Sequence, residues 1–428
     1  MRPPDHHPSR RGFLDAAGAM VALGLAAGCT SDAATSDGAP SGSASGTAPG
    51  TASGAPPAGA GGSSGAATAL PGGPVRAVPP TGAHQAGVVL PQPAQGNLLV
   101  VVADLASTGS TRGAASTTST TFTGDVGSLL AELGTTVSAL ASGTDARLLG
   151  LPPGDLTVTI GVGPRLVRAA GPSLPGATDL PRFSRERITS QARGGDLLLQ
   201  ICASDALVPA VVATALLDRA GGRLRERWRQ SARRGANVPV DRTLTAPRNL
   251  LGFIDGIVGP HTAAAQARDL WLAGPAPVAG GTLAVVRRME LDLPRFAALS
   301  VAEQEAVFGR RRTTGAPLSG GTVAADPALG AKTPDGRYLV PADAHVRRAN
   351  ANAVGAGLML RRSYSIDDPT AGLLFVSFQN DLRTFTSTLA HMDDSDALLG
   401  FTTATASATF LVLPGFTPNR PLGSTLFP

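Results

Sequence analysis

The stretch Arg248-Asn249-Leu250-Leu251-Gly252-Phe253-Ile254-Asp255-Gly256-Ile257-Val258-Gly259-Pro260 places one carboxylate, Asp255, between two closely spaced glycines. Glycine allows positive φ and a close approach of the backbone to a flat ligand, so this segment is expected to form a tight loop. Apolar side chains flank the acid on both sides, and a poorly solvated carboxyl group is suited to taking up and returning a proton. An ordinary Asp-Gly surface turn has the same local sequence. The segment alone therefore leaves both interpretations open.

The composition of the chain narrows its class. With 428 residues, of which 43% are hydrophobic and 4% aromatic, the chain is long enough for two domains with cores of Ala, Val and Leu. The formal net charge is +5, and the basic residues are scattered without interleaved aromatics. This pattern does not favour nucleic acid as a partner; arginines that face an anionic small molecule fit better. Cys29 and Cys202 lie in different contexts and do not indicate a disulfide framework.

The first 29 residues have the features of an export signal. Ser9-Arg10-Arg11-Gly12-Phe13-Leu14 carries a twin arginine, and the apolar run that follows is too short and too rich in Ala and Gly for a stable membrane span. The pattern predicts export by the twin-arginine route, which carries folded proteins. Leu25-Ala26-Ala27-Gly28-Cys29 resembles a lipoprotein cleavage box, although Ala26 replaces the usual Leu. Lipid anchoring at Cys29 and release after cleavage both remain open.

The rest of the chain has the pattern of an α+β protein. Residues 30–75 are rich in Ser, Gly, Ala and Pro and are predicted to be a flexible spacer. Folded structure is expected from about Gly82. Strands are predicted at 97–103, 156–163, 196–202, 281–289, 372–379 and 409–413, and helices at 124–140, 206–220, within 293–312, and at 382–391. This order predicts two ferredoxin-like halves, 82–240 and 241–428, with the boundary near Asp241.

Two further segments carry candidate chemistry. His345 lies in the frame Asp343-Ala344-His345-Val346-Arg347-Arg348-Ala349-Asn350. A neutral imidazole is a good axial ligand for haem iron, and neighbouring arginines can pair with haem propionates. A solvated surface histidine would fit the same frame. Arg361 and Arg362 directly follow the apolar run Leu358-Met359-Leu360, so they lie either at the edge of a buried pocket or at a solvated strand end.

In this order, the three segments resemble one family, the dye-decolorizing peroxidases. The resemblance is strongest to the exported branch that includes the deferrochelatase/peroxidase of bacterial iron-uptake systems. It runs from about residue 82 to the C-terminus and includes further matching stretches at His84-Gln85-Ala86-Gly87, at 194–202, at Gly315-Ala316-Pro317-Leu318 and at 372–376. The resemblance implies a dimeric α+β-barrel architecture, with haem b bound mainly by the C-terminal half.

The resemblance also implies roles for individual residues. It assigns His345 as the proximal iron ligand, Asp255 as the distal acid/base and Arg361 as the distal arginine, with Arg362 as a rival. Gly256 and Arg347 would contact the cofactor, the latter at a propionate. The sequence departs from the family pattern at Ile257, where Thr is usual, and at Gly259, where Asn is usual. These departures concern the shape of the distal loop.

The activity that the resemblance implies is reduction of hydrogen peroxide with one-electron oxidation of organic, dye-like or phenolic substrates. Asp255 would move a proton between the peroxide oxygens, and Arg361 would stabilise charge as the O–O bond breaks. Bulky substrates would give up electrons at a surface aromatic, for which the candidates are Trp228, Trp271, Tyr338 and Tyr364. The alternative is release of iron from haem, with partners in iron uptake. Assembly as a homodimer or larger is typical of the family.

Overall fold

The computed structural model describes residues 75–106, 119–240, 242 and 244–428. The predicted export signal, Cys29, almost all of the predicted spacer and the predicted boundary residue Asp241 lie outside these residues, and the predictions made for them stay predictions. Among the described residues, no helix is both long enough and apolar enough to cross a membrane.

The helices and strands fall into three successive parts of the chain. The first part contains β1 (Asn97–Leu105), α1 (Ser119–Ala141), β2 (Thr157–Val162), α2 (Pro164–Ala170), β3 (Leu197–Ala203), α3 (Val208–Ala220) and β4 (Leu224–Arg233). A connecting region follows with β5 (Val238–Pro239), β6 (Thr245–Ala246) and α4 (Ala263–Asp269). The last part contains β7 (Thr282–Leu291), α5 (Leu293–Ala297), α6 (Val301–Phe308), α7 (His345–Arg348), α8 (Ala351–Val354), β8 (Leu360–Arg361), β9 (Tyr364–Ile366), β10 (Gly372–Gln379), α9 (Leu382–Ser395) and β11 (Thr402–Val412).

The strands form a closed antiparallel barrel from two ferredoxin-like sets. In the first set the spatial order is β2-β3-β1-β4. In the second it is β11-β7-β10, and the short strands β8 and β9 both pair with the other side of β10. Pairing of β2 with β11 and of β4 with β9 joins the sets and closes the barrel. The predicted α+β fold class is therefore confirmed.

The barrel interior is a packed core. Inward-facing side chains from β1, β3, β4 and the C-terminal strands form one buried cluster, which includes Val100, Leu198, Val376, Phe378 and Phe410. The other face of the first set packs against α1 and α3 through residues such as Leu99 and Val101. Because strand side chains alternate between faces, the outer face of the second set is left for the loops and helices that carry the candidate residues.

Candidate haem site

The loop that carries Asp255 is folded by its own polar groups. Asn249 Oδ1 accepts the Phe253 backbone N–H at 3.1 Å, and the Asp255 N–H donates to the Pro247 carbonyl at 3.0 Å. Gly256 has φ of 76°, a left-handed conformation that favours glycine. The half-buried Asp255 carboxylate accepts the Gly256 N–H on Oδ1 at 2.7 Å, which leaves Oδ2 for another partner. A Cβ built on Gly256 would meet nothing within 4 Å, so there is open space beside the acid.

His345 is the first residue of α7 and is held from behind by a buried carboxylate. Its Nδ1 lies 2.8 Å from Asp396 Oδ2, and the side chain of Asp396 is 0% exposed whereas that of His345 is 31% exposed. Asp396 is itself fixed, because its Oδ1 accepts the Leu398 N–H at 2.8 Å. A carboxylate on Nδ1 sets the tautomer that leaves the Nε2 lone pair free. Nε2 has no hydrogen-bond partner among the described residues, so it can serve as a metal ligand.

Asp396 was not predicted from the sequence, and its contact with His345 gives the first test of the site. We expect Asp396→Asn to weaken haem binding by about 10–100-fold, since loss of a ligand's hydrogen-bonding partner typically costs that much in metal affinity. Titration of the purified protein with haem, followed by visible absorption, measures the change. Asp394→Asn is the matched control, because Asp394 is 69% exposed and pairs with Arg348 rather than the imidazole. Equal haem affinity in both variants would show that Asp396 does not support the ligand.

A cluster of phenylalanines connects His345 with the Asp255 loop. The Phe308 ring stacks on Phe253 with centroids 3.8 Å apart and meets the His345 ring edge-on at 6.1 Å. Phe296 closes the cluster, with its ring 6.3 Å from Phe253 and 6.0 Å from Phe308. Since Phe253 lies two residues before Asp255, the cluster brings the proposed iron ligand and the proposed distal acid into one region of the molecule.

Arg361 lies on the outer face of the barrel sheet. It lies opposite Ser377 in the β8–β10 pair, on the face opposite to the barrel interior. Its guanidinium makes no hydrogen bond or ion pair with the described residues. The nearby guanidinium of Arg310 has its pKa lowered, mainly by burial and further by the charge of Arg361. Arg310 Nη1 donates to the Gly315 carbonyl at 2.8 Å, and a Cβ on Gly315 would lie 3.0 Å from Ile254. Arg310 therefore lies between Arg361 and the Gly315 turn, which packs beside Ile254.

Arg362 faces the other way. Its side chain is inside the barrel, where the residue is 3% exposed. Its guanidinium donates to the carbonyls of Val89 and Pro91 and to Gln95 Oε1 at 3.2–3.3 Å. These bonds hold the N-terminal segment against the barrel. The geometry therefore supports Arg361 rather than Arg362 as the distal arginine, and that assignment stays a prediction.

Arg347 supports the loop that precedes α7. Its guanidinium donates to the carbonyls of Pro341 at 3.0 Å and of Leu329 and Val340 at 2.7 Å, and it lies 4.6 Å from the centre of the Tyr338 ring. These contacts anchor the backbone next to His345. The propionate contact expected for Arg347 stays a prediction.

The donor groups of this region fit a haem. Within the described residues, no group of three or more His, Cys, Asp or Glu side chains is arranged to hold a metal ion. One oriented imidazole with a free Nε2 instead suits an iron whose equatorial ligands come from a porphyrin. The guanidinium without a partner and the half-buried carboxylate are suited to charge stabilisation and proton transfer beside it.

Comparisons with known proteins agree with this chemistry. Residues 85–232 match the model of the Dyp-type peroxidase N-terminal domain, and residues 246–417 match that of the C-terminal domain. A dye-decolorizing peroxidase of Thermobifida fusca is 37% identical over 307 residues, which cover 66% of this chain and 69% of the relative. A deferrochelatase of Yersinia pestis is 29% identical over 361 residues, which cover 78% of this chain and 81% of the relative. Oxyferrous DtpA from Streptomyces lividans superimposes with a TM-score of 0.73 at 30% identity, over 83% of this chain and 98% of that one.

The fold and the site thus define a haem-dependent peroxidase of α+β-barrel architecture. The chain belongs to the Dyp-type peroxidase family, in both its N-terminal and its C-terminal domains. It is an oxidoreductase that uses hydrogen peroxide and a reducing substrate.

Proposed function

We propose that this protein is an exported haem b peroxidase that reduces hydrogen peroxide and oxidises organic, dye-like or phenolic substrates by one-electron steps. The observation that carries the proposal is the buried Asp396 carboxylate on His345 Nδ1, because it orients the imidazole with Nε2 free for iron. The Phe253–Phe308 stack, which connects His345 with the loop of Asp255, supports it further.

In the proposed mechanism His345 would hold the haem through Nε2. Bound haem supplies an iron centre that accepts peroxide and passes on oxidising equivalents. Asp255 Oδ2, which the Gly256 N–H leaves available, takes a proton from one peroxide oxygen and returns it to the other. The Arg361 guanidinium stabilises the negative charge on the departing oxygen. The phenylalanine cluster keeps bulk water away and so strengthens both interactions.

Visible absorption with and without peroxide tests the proposal. The purified protein, supplied with haem, should show a Soret band that changes on addition of peroxide and returns when a phenolic reductant is added. The haem extracted from it should be protoporphyrin IX that is not covalently attached. A preparation that stays colourless with added haem would overturn the proposal.

A second candidate is a deferrochelatase that releases iron from haem and works with iron-uptake partners. The 29% identity to the Yersinia pestis deferrochelatase favours it. The two functions can be distinguished by the product that the protein forms from haem. Incubation under reducing conditions without peroxide should leave the haem intact if the protein is a peroxidase, and should yield iron-free porphyrin if it is a deferrochelatase.

For substrates too large to reach the haem, we infer that oxidation takes place at Tyr338. The chain has two Trp and two Tyr, all of them within the described residues. Tyr338 is 45% exposed, whereas Trp228 and Tyr364 are buried and Trp271 is half-buried under the His84 ring. Tyr338 also lies at the end of the loop that Arg347 ties to α7.

Tyr338→Phe should therefore lose most of the turnover of a bulky anionic dye and keep that of hydrogen peroxide with a small phenol. Phenylalanine retains the ring between Lys332 and Arg347, 4.8 and 4.6 Å away, but cannot be oxidised at a hydroxyl. Steady-state assays with the two reductants measure the ratio. Trp271→Phe is the matched control and should leave the ratio unchanged. A ratio that moves only in the Trp271 variant would assign the relay to the tryptophan.

We also infer export by the twin-arginine route, with Cys29 as the candidate lipid anchor and a homodimer or larger assembly in solution. The sequence of the first 29 residues supports the first two inferences. Fractionation of cells that express the wild type, Arg10→Lys/Arg11→Lys and Cys29→Ser tests them. Export should fail in the first variant, and membrane association should be lost in the second if Cys29 is lipidated. Light scattering of the purified protein gives the assembly state.

A further inference from the structure

The barrel interior contains a concentration of buried polar atoms without partners. In the part of the chain that the structure describes, the buried side-chain atoms that lack a hydrogen bond are Gln200 Oε1, Trp228 Nε1, Arg362 Nε and Tyr364 Oη. Each belongs to a residue that is more than nine-tenths buried and faces the barrel interior. Buried polar groups in folded proteins nearly always have partners, so several orphaned atoms in one compartment indicate a bound species.

Arg362 is a buried positive charge without a carboxylate. All three of its side-chain hydrogen bonds go to neutral oxygens, namely two backbone carbonyls and Gln95 Oε1, and it forms no ion pair with an Asp or Glu of the described residues. Asp155 lies at the same end of the barrel, but it does not pair with Arg362. Its carboxylate accepts hydrogen bonds from the backbone N–H and the hydroxyl of Ser204, both at 2.7 Å. Because a charge removed from water is costly unless it is paired, Arg362 needs an anion.

The nearby ionisable side chains cannot provide this anion. Tyr364 begins β9 two residues after Arg362, and its hydroxyl is close to the Cys202 thiol. Burial raises the pKa of Cys202 to about 11, and Arg362 only partly offsets this rise. Burial likewise raises the pKa of Tyr364 far above its ordinary value. Both groups are therefore neutral at physiological pH, and the Tyr364 hydroxyl is a hydrogen-bond donor.

We propose that the barrel interior binds one small monovalent inorganic anion, of the size of chloride, between Arg362 Nε and Tyr364 Oη. The site supplies hydrogen-bond donors and positive charge, with the Arg234 guanidinium close enough to interact with both Arg362 and Tyr364, and this is the complement of an anion. The site is enclosed by the buried apolar side chains of the barrel interior, which favours a compact monovalent ion over a strongly hydrated sulfate. The anion fixes Arg362, and with it the strand β8 that carries Arg361.

Crystals of the full chain grown with bromide in place of chloride test the site directly. The expected result is an anomalous peak between Arg362 Nε and Tyr364 Oη. Bromide peaks confined to the protein surface, with only water density between these two atoms, would overturn the proposal.

Thermal unfolding gives an independent measurement. At constant ionic strength, replacement of gluconate by chloride should raise the Tm of the holoprotein by about 2–3 °C per tenfold increase in chloride above the Kd. Tyr364→Phe removes one donor from an apolar environment and should reduce this chloride dependence, and Arg362→Met should abolish it. If Arg362→Met does not fold, Tyr364→Phe still decides the matter. Tyr338→Phe, which changes an exposed tyrosine, should keep the wild-type dependence, and an equal dependence in both tyrosine variants contradicts the proposal.

Discussion

Replacement of His345 with alanine should abolish stable haem binding and, with it, peroxide turnover. The imidazole Nε2 is the ligand that the structure offers to iron, since Nδ1 is occupied by Asp396 at 2.8 Å. No cluster of three or more other ligand-type side chains within the described ranges could take its place. Because loss of a ligand's supporting residue already costs about 10–100-fold in affinity, loss of the ligand itself should cost at least about 100-fold. After reconstitution with haem, the His345→Ala variant should elute from gel filtration without a Soret band.

His84→Ala is the matched control for this experiment. His84 is also half-buried and hydrogen-bonded, with Nδ1 2.7 Å from the Gly280 carbonyl, but its ring stacks on Trp271 rather than on the phenylalanine cluster. It should keep the wild-type Soret band. An unchanged haem spectrum in His345→Ala, or an equal loss in both variants, would show that the iron ligand lies elsewhere.

The strands that were predicted from the sequence are those whose buried residues are mostly apolar, so that the local composition alone indicates a strand. β1 contains a continuous apolar run and β3 is apolar apart from Gln200, because one face of each strand lines the barrel and the other lies under helices. β4 was missed. In Leu224–Arg233 the buried positions from Trp228 onward alternate with exposed arginine and serine, and one buried position is the polar Gln230. Its strand character comes from pairing with β1 and from closure of the barrel, neither of which is visible in the local pattern.

The site residues show the same division between local and long-range information. Asp255 and His345 lie in distinctive frames, so the resemblance could single them out from the sequence, and it narrowed the distal arginine to Arg361 or Arg362. Asp396 could not be separated from its neighbours, because three carboxylates lie within four positions. Only the folded structure shows that each carboxylate has a different hydrogen-bond partner: Asp393 bonds to Ser184, Asp394 to Arg348, and Asp396 to His345.

The choice between Arg361 and Arg362 also required the fold. Adjacent residues on a strand face opposite sides, so the sequence implies that only one of the two can point at a given site. Which side is the barrel interior depends on the closure of the sheet through β4–β9 and β2–β11. Once the sheet closes, Arg362 lies inside and Arg361 outside.

Asp255→Asn should slow the reaction with hydrogen peroxide by about 10²–10⁴-fold while haem binding stays intact, which is the usual contribution of a positioned acid/base. Asparagine is the informative substitution, because its carbonyl oxygen can still accept the Gly256 N–H that Asp255 Oδ1 accepts at 2.7 Å. The loop should therefore keep its shape, and the variant should lose only the ability to take up and return a proton. Stopped-flow measurement of the Soret change against peroxide concentration gives the second-order rate constant.

Asp205→Asn provides the matched control, since Asp205 Oδ1 also accepts a nearby backbone N–H, that of Leu207 at 2.7 Å, but before α3 in the N-terminal half. Its rate constant should equal that of the wild type. Arg361→Leu should also slow the same step, and the double variant with Asp255→Asn should lose less than the product of the single effects, because the two groups act on one bond cleavage. A strictly multiplicative loss would assign the two side chains to different steps. A rate constant for Asp255→Asn within about threefold of wild type would remove Asp255 from proton transfer and leave the loop with a role in shaping the pocket alone.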